Sequence, residues 1–97
     1  MAVVVVTRFT GHRDFTALVK QAAAILKKHG AVSVRAGRVQ AGGDAGAIVV
    51  ATTLADWPSY GHFMQGITTD PDWRRIYREF AKNFELQDRS VIAAEEF

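Results

Sequence analysis

The nearest this chain comes to an acid–base pair is Tyr60 with His62, inside the run Trp57–Met64 (WPSYGHFM). An imidazole changes charge near neutral pH, so His62 could serve as a general base or a metal ligand. The metal role lacks its spacing. No carboxylate or second histidine lies three or four residues away, and Asp56 is six residues back. No metal site is therefore expected. As a proton-transfer pair His62 and Tyr60 remain candidates, against the plainer reading of His62 as a half-exposed helix residue. It stands one position off the stripe Trp57, Tyr60, Phe63, Met64. His12 and His29 fall in a loop and at a helix end and are assigned no chemistry.

Two arginines could hold an anion. Arg35 shares one strand face with Ser33 and Gly37, opposite Val32, Val34 and Ala36. If that face is enclosed, its cation needs a carboxylate, from an acidic ligand or from the protein itself. Glu95 and Glu96 are the internal alternative, and snorkelling to solvent is another. Arg8 carries the same ambiguity. The aromatic inventory is Trp57, Tyr60, Trp73 and Tyr77. Core packing explains rings at helical spacing, yet their N–H and O–H groups need partners, which a pocket edge would supply. The candidate ligand-binding set is thus Arg8, Arg35, Trp57, Tyr60, His62, Trp73 and Tyr77.

These side chains must be positioned by a small number of elements. Ala2–Phe9 is apolar on both alternations, as a central strand is. From Phe15 the period changes: Phe15, Leu18, Val19, Ala22, Ile25 and Leu26 line one side of a helix. Thr10 and Asp14 are candidate caps, and Gly30 is the stop, with Lys27, Lys28 and His29 in the last turn. Ala31–Gln40 and Ala45–Thr53 are extended runs joined by a Gly-rich turn, which makes a hairpin. Gly42-Gly43 lacks the strand–GxGxxG–helix setting of a dinucleotide site.

Asp56 and Pro58 mark the start of a second helix, expected to be short because Gly66, Thr68 and Thr69 weaken it. Asp70-Pro71 restarts it, with Trp73, Ile76, Tyr77, Phe80 and Phe84 as its apolar stripe. Arg75 and Glu79 are spaced for an ion pair on its outer side. Arg89–Glu96 reads as a last strand.

The order β-α-β-β-α(α)-β predicts an α+β fold: a ferredoxin-like plait, a four-stranded antiparallel sheet with helices on one face. Helices cover one side only. The other side would then expose Val4, Val6, Ala47 and Val49, or else Val3, Val5, Ile48 and Val50, depending on register. Soluble monomers seldom tolerate such a patch. A two-fold copy packed sheet-on-sheet would bury it and create a barrel, so a homodimer is expected.

Composition bounds the function. Ninety-seven residues suit one domain spanning 1–97, which buries only about 60–65% of its unfolded surface without a partner. The net charge of +2 is slight and the basic residues are scattered, which argues against nucleic acid as a partner. The absence of cysteine excludes disulfides and thiolate chemistry. The apolar MAVVVV run is too short for a membrane span or a signal h-region, so no membrane role and a cytoplasmic location are expected.

Together with this strand order, the segment TLADWPSYGHFM followed by QGITTDPDW resembles the dimeric α/β-barrel superfamily, in particular NIPSNAP-like and antibiotic-biosynthesis-monooxygenase-like members. The resemblance implies a homodimer with a small, largely apolar pocket between sheet and helices; separately, no cofactor is expected. It implies no single activity, because the superfamily spans cofactor-free monooxygenases, haem-degrading enzymes, isomerases and binding domains. The haem-degrading relatives use an Asn, a Trp and a His, whereas the one asparagine here, Asn83, falls late in the last helix. A small aromatic or acidic metabolite is the expected ligand, with a monooxygenase or isomerase activity in the same pocket as the alternative.

Overall fold

A computed structural model of the protein describes all residues from Met1 to Phe97. Its elements are β1 (Ala2–Thr10), α1 (Thr16–Lys28), β2 (Ser33–Arg38), β3 (Ile48–Leu54), α2 (Trp57–Thr69), α3 (Pro71–Ala81) and β4 (Glu85–Ala94). The strands form one sheet in the order β2-β3-β1-β4, every neighbouring pair antiparallel. This is the topology that the sequence pattern predicts.

Register decides which valines face inward. Val3 pairs with Leu54, Val5 with Thr52 and Thr7 with Val50. These residues, with Phe9 and Ile48, form the floor on which the helices pack; Val3, Ile48 and Leu54 have no exposed surface at all. Val4, Val6, Arg8, Val49, Ala51 and Thr53 have the opposite parity and are only half-buried. Of the two expected patches the first is therefore the uncovered one, with one correction. Ala47 precedes β3 and is buried, and Ala51 takes its place on the open face.

Two helices start on the caps their residue types predict: Asp56 accepts from the Ser59 amide at 2.8 Å and Asp70 from the Asp72 amide at 2.8 Å. The first does not: Phe15 holds the N-cap of α1 with no side-chain cap bond, and neither Thr10 nor Asp14 takes that position, although Asp14 just before it accepts from the Thr16 amide at 2.9 Å. Gly30 follows α1 at φ +109°, a conformation costly for any side chain with a Cβ.

Three expectations need correction. The second helix is not short: α2 has the same 13 residues as α1. Thr68 and Thr69 return their hydroxyls to carbonyls of Met64, Gln65 and Gly66, which fits the last turn of a helix. Gly66 is needed there for space, because a Cβ would run into the His29 ring. The last strand begins at Glu85 rather than Arg89 and ends at Ala94, leaving Glu95 and Glu96 outside it. Its first half lacks apolar alternation because an edge strand exposed on both sides needs none. It pairs along the whole of β1, with a register slip at Arg8/Phe9. Finally, Glu79 holds Lys82 at 2.8 Å while Arg75 reaches Asp72 at 4.0 Å, so the expected Arg75–Glu79 pair is not made.

Two apolar clusters lie between sheet and helices. One joins Val3, Val5, Leu26, Leu54, Phe63 and Ile67; the other joins Phe9, Ile48, Phe80 and Phe84. Phe9 meets Phe80 edge-on at 4.5 Å, and Phe80 stacks on Phe84 at 4.4 Å. No helix is long and apolar enough to cross a membrane.

Candidate functional site

Where the two clusters meet, packing is incomplete. A cavity of roughly 80 Å³ lies between the floor formed by β1, β2 and β3 and the roof formed by α1, α2 and α3. Val5, Phe9, Val34 and Val50 form its floor, and Phe63, Met64, Ile67 and Ile76 form part of its roof. Fifteen of its eighteen lining residues are hydrophobic, and the exceptions are Thr7, Thr52 and Arg89. Void of this size costs packing energy unless something fills it.

The side chains singled out in the sequence divide into three groups. Tyr60, Trp73 and Tyr77 line the cavity, and the rings of Trp73 and Tyr77 lie 6.2 Å apart. Trp57 is half exposed and meets Tyr60 edge-on at 5.8 Å, outside the wall. His62 is exposed on the outer side of α2 and does not line the cavity. Arg8 and Arg35 stand on the open face of the sheet, away from the cavity. Arg8 is neutralised there, bonded to Asp44 and 4.0 Å from Asp88. Arg35 is exposed on edge strand β2, and Glu95 and Glu96 follow β4 at the opposite edge of the sheet.

The structure adds three polar residues that the sequence reading passed over. Thr7 and Thr52 are buried and point from the floor into the cavity. Arg89 pairs with Thr7 in the register of β4 and brings the one charged group in the lining. A signal did exist: Thr7 interrupts the apolar set Val3, Val5, Phe9, which marks a polar group aimed at the core.

The roof is locked at one point far along the chain. Asp70 joins α2 to α3 and is 6% exposed. His29 Nε2 lies 2.6 Å from its carboxylate, and Lys28 Nζ donates to it at 3.4 Å. The His29 hydrogen bond is the largest cause holding the Asp70 carboxyl at about 2, below its ordinary 3.8. Burial pulls the other way; the Asp72 amide and Lys28 add to the lowering. This clamp ties the end of α1 to the junction that carries Ile67 and Trp73. No cluster of three or more His, Cys, Asp or Glu side chains could hold a metal ion.

Comparison with solved structures identifies the architecture. SnoaB, a cofactor-independent oxygenase from Streptomyces nogalater, superposes with a TM-score of 0.75 at 17% identity, over 99% of this chain and 95% of that one. An uncharacterized NIPSNAP domain protein from Burkholderia xenovorans gives 0.72 at 14% identity, over 98% and 96%. A dimeric ferredoxin-like protein from an uncultured marine organism gives 0.60 at 15% identity, over 98% of each chain. The fold is ferredoxin-like. The resemblance to the α/β-barrel superfamily thus holds at the level of the ferredoxin-like fold, across nearly the whole chain. No family model matches the chain, and no curated protein matches it in sequence.

Proposed function

We propose that the protein is a homodimer that binds a small aromatic or acidic metabolite in the cavity between its sheet and its helices. The wall composition carries this reading: an apolar, aromatic enclosure with a single cation, Arg89, in its lining. A ring entering between the half-buried Tyr60, Trp73 and Tyr77 would lie among apolar side chains, and its carboxylate or phenolate would meet the guanidinium of Arg89 at the exposed rim. Thr7 and Thr52 offer hydroxyls to a second polar atom. The dimer reading rests on the open face, where Val4, Val6, Val49, Ala51 and the 46% exposed Ile92 form an apolar surface without a cover.

The test is a titration with benzoate, followed by tryptophan fluorescence, beside native mass spectrometry of freshly purified protein. Saturable quenching that weakens in Arg89→Gln and survives in Arg35→Gln supports the site. No quenching together with no co-purified mass would sink it. For the dimer, a monomeric mass by light scattering at micromolar concentration would refute the argument from the open face.

A second reading is supported by the likeness in fold to a cofactor-independent oxygenase. In it the substrate would be an electron-rich phenol that itself reduces dioxygen, with Arg89 favouring its ionised form. Neither a histidine nor a carboxylate lines the cavity, so Tyr60 and Tyr77 are its hydroxyl candidates for proton transfer, and His62 would have to act from outside. Oxygen uptake above autoxidation, abolished by Arg89→Gln, is the expected signature.

A further inference from the structure

Outside the cavity, Ile67, Trp73, Tyr77 and Arg89 also form one side of an open basin that Thr68, Arg74 and Arg78 complete. Three of its seven lining residues are arginines and none is acidic. Arg8, Arg75 and Lys82 each sit beside a carboxylate, of Asp44, Asp72 and Glu79 respectively, whereas Arg35, Lys20 and Lys27 have none. The basin differs from those isolated cations in gathering three arginines around one opening. Arg74 is tied to the Thr68 carbonyl at 3.0 Å, a contact that positions its guanidinium without neutralising it. Arg78 and Arg89 have no side-chain hydrogen bond or ion pair within the chain.

We propose that the ligand is an amphiphile whose apolar part fills the cavity and whose phosphate-type dianion stays in this basin, held by Arg78 and Arg89 with Arg74 behind them. The proposal rests on the cavity reading above and goes beyond it in the headgroup. A single carboxylate matches one guanidinium fork. A phosphomonoester carries close to two charges and three acceptor oxygens, which suits two guanidinium forks lining one basin from α3 and β4. Because Trp73, Tyr77 and Arg89 belong to both cavity and basin, the ring and the headgroup would be neighbours on one small molecule. Free inorganic phosphate presents the same chemistry without the ring, so the two sources must be separated.

Calorimetric titration with phenyl phosphate, phenol and inorganic phosphate separates them. Phenyl phosphate is expected to bind about tenfold tighter than either of the others. Arg78→Gln and Arg89→Gln should each weaken it several-fold, and the double variant should bring it to the affinity of phenol. Arg35→Gln, on the open face of the sheet, should leave phenyl phosphate binding unchanged, and circular dichroism should show every variant folded. Phenyl phosphate binding no tighter than phenol, or as tightly to the double variant, would overturn the headgroup and leave the cavity reading standing. Inorganic phosphate binding as tightly as phenyl phosphate would overturn the amphiphile. If neither phenol nor phenyl phosphate binds, the cavity reading falls and the headgroup proposal with it.

Discussion

The two faces of the sheet are built from the same strands and similar residues, yet they have different fates. On one face Val3, Val5, Ile48 and Leu54 are shut beneath three helices. On the other Val4, Val6, Val49 and Ala51 remain half open. The arginines differ in their surroundings, since only one of them lines an apolar cavity. The open face holds Arg8, already matched by Asp44 and Asp88, and the exposed Arg35. The covered face holds Arg89, a cation at the edge of an apolar cavity and without an acidic partner. An arginine's position in the sequence therefore says little about its availability. What matters is which face its parity assigns it to, and whether a carboxylate arrives there first.

Substitutions on each face test this difference. The largest effect is expected on the covered side, where Phe63→Ala should cost about 3–5 kcal/mol of unfolding free energy in a urea titration. Phe63 is 3% exposed and belongs to both core and cavity wall. A loss below about 1 kcal/mol would mean that the roof is not a packed layer.

Gly66→Ala comes next. Alanine gains up to about 1 kcal/mol in helix propensity, but its Cβ would displace the His29 ring that Asp70 holds in place. A net destabilisation of about 1–2 kcal/mol is expected, and the double variant Gly66→Ala/His29→Ala should be less than additive.

The third test reads the same clamp through pH. Asp70 is depressed from 3.8 to about 2, so it binds its proton more weakly when folded than when unfolded. Its contribution is full above about pH 4 and is lost as pH falls through about 2. Urea midpoints across this range should fall less steeply in Asp70→Asn than in the parent, and the two curves should converge at the acid end. Parallel curves would remove the clamp from the account.

The open face should give the smallest monomer effects. Arg8→Gln is expected to change stability by no more than about 1 kcal/mol, because its partners are partly solvated. Benzoate binding should not change. Val6→Asp should leave the fold intact and shift the mass by light scattering to a monomer, which would set the two faces apart as core and interface.

Much of the architecture was legible in the chain. Asp56-Trp57-Pro58 and Asp70-Pro71 announce helix starts through their caps, and Gly30 announces a stop. These signals are local: each needs only a short side chain near a free amide, or a backbone that tolerates positive φ. The limits of β4 were less legible, since ELQD has no alternation to read and its pairing with β1 is long-range. Of the site, the aromatic wall could be read from helical spacing, because Tyr60, Trp73 and Tyr77 lie on stripes that face the sheet. Arg89 could not, because nothing near it in sequence marks an inside and an outside.

The sequence by itself determined seven elements, their order, the aspartate caps of α2 and α3 and two apolar sets of strand residues. It could not choose between those sets. Alternation has a period of two and is satisfied equally with either parity facing the helices, so the choice belongs to the docking of α1, α2 and α3. Only tertiary structure could bring His29 to Asp70 across 41 positions, or Arg8 to Asp44 across 36. Only it could set Arg89 beside Trp73 and Tyr77. Such contacts depend on where the chain returns to itself, and local periodicity carries no record of that.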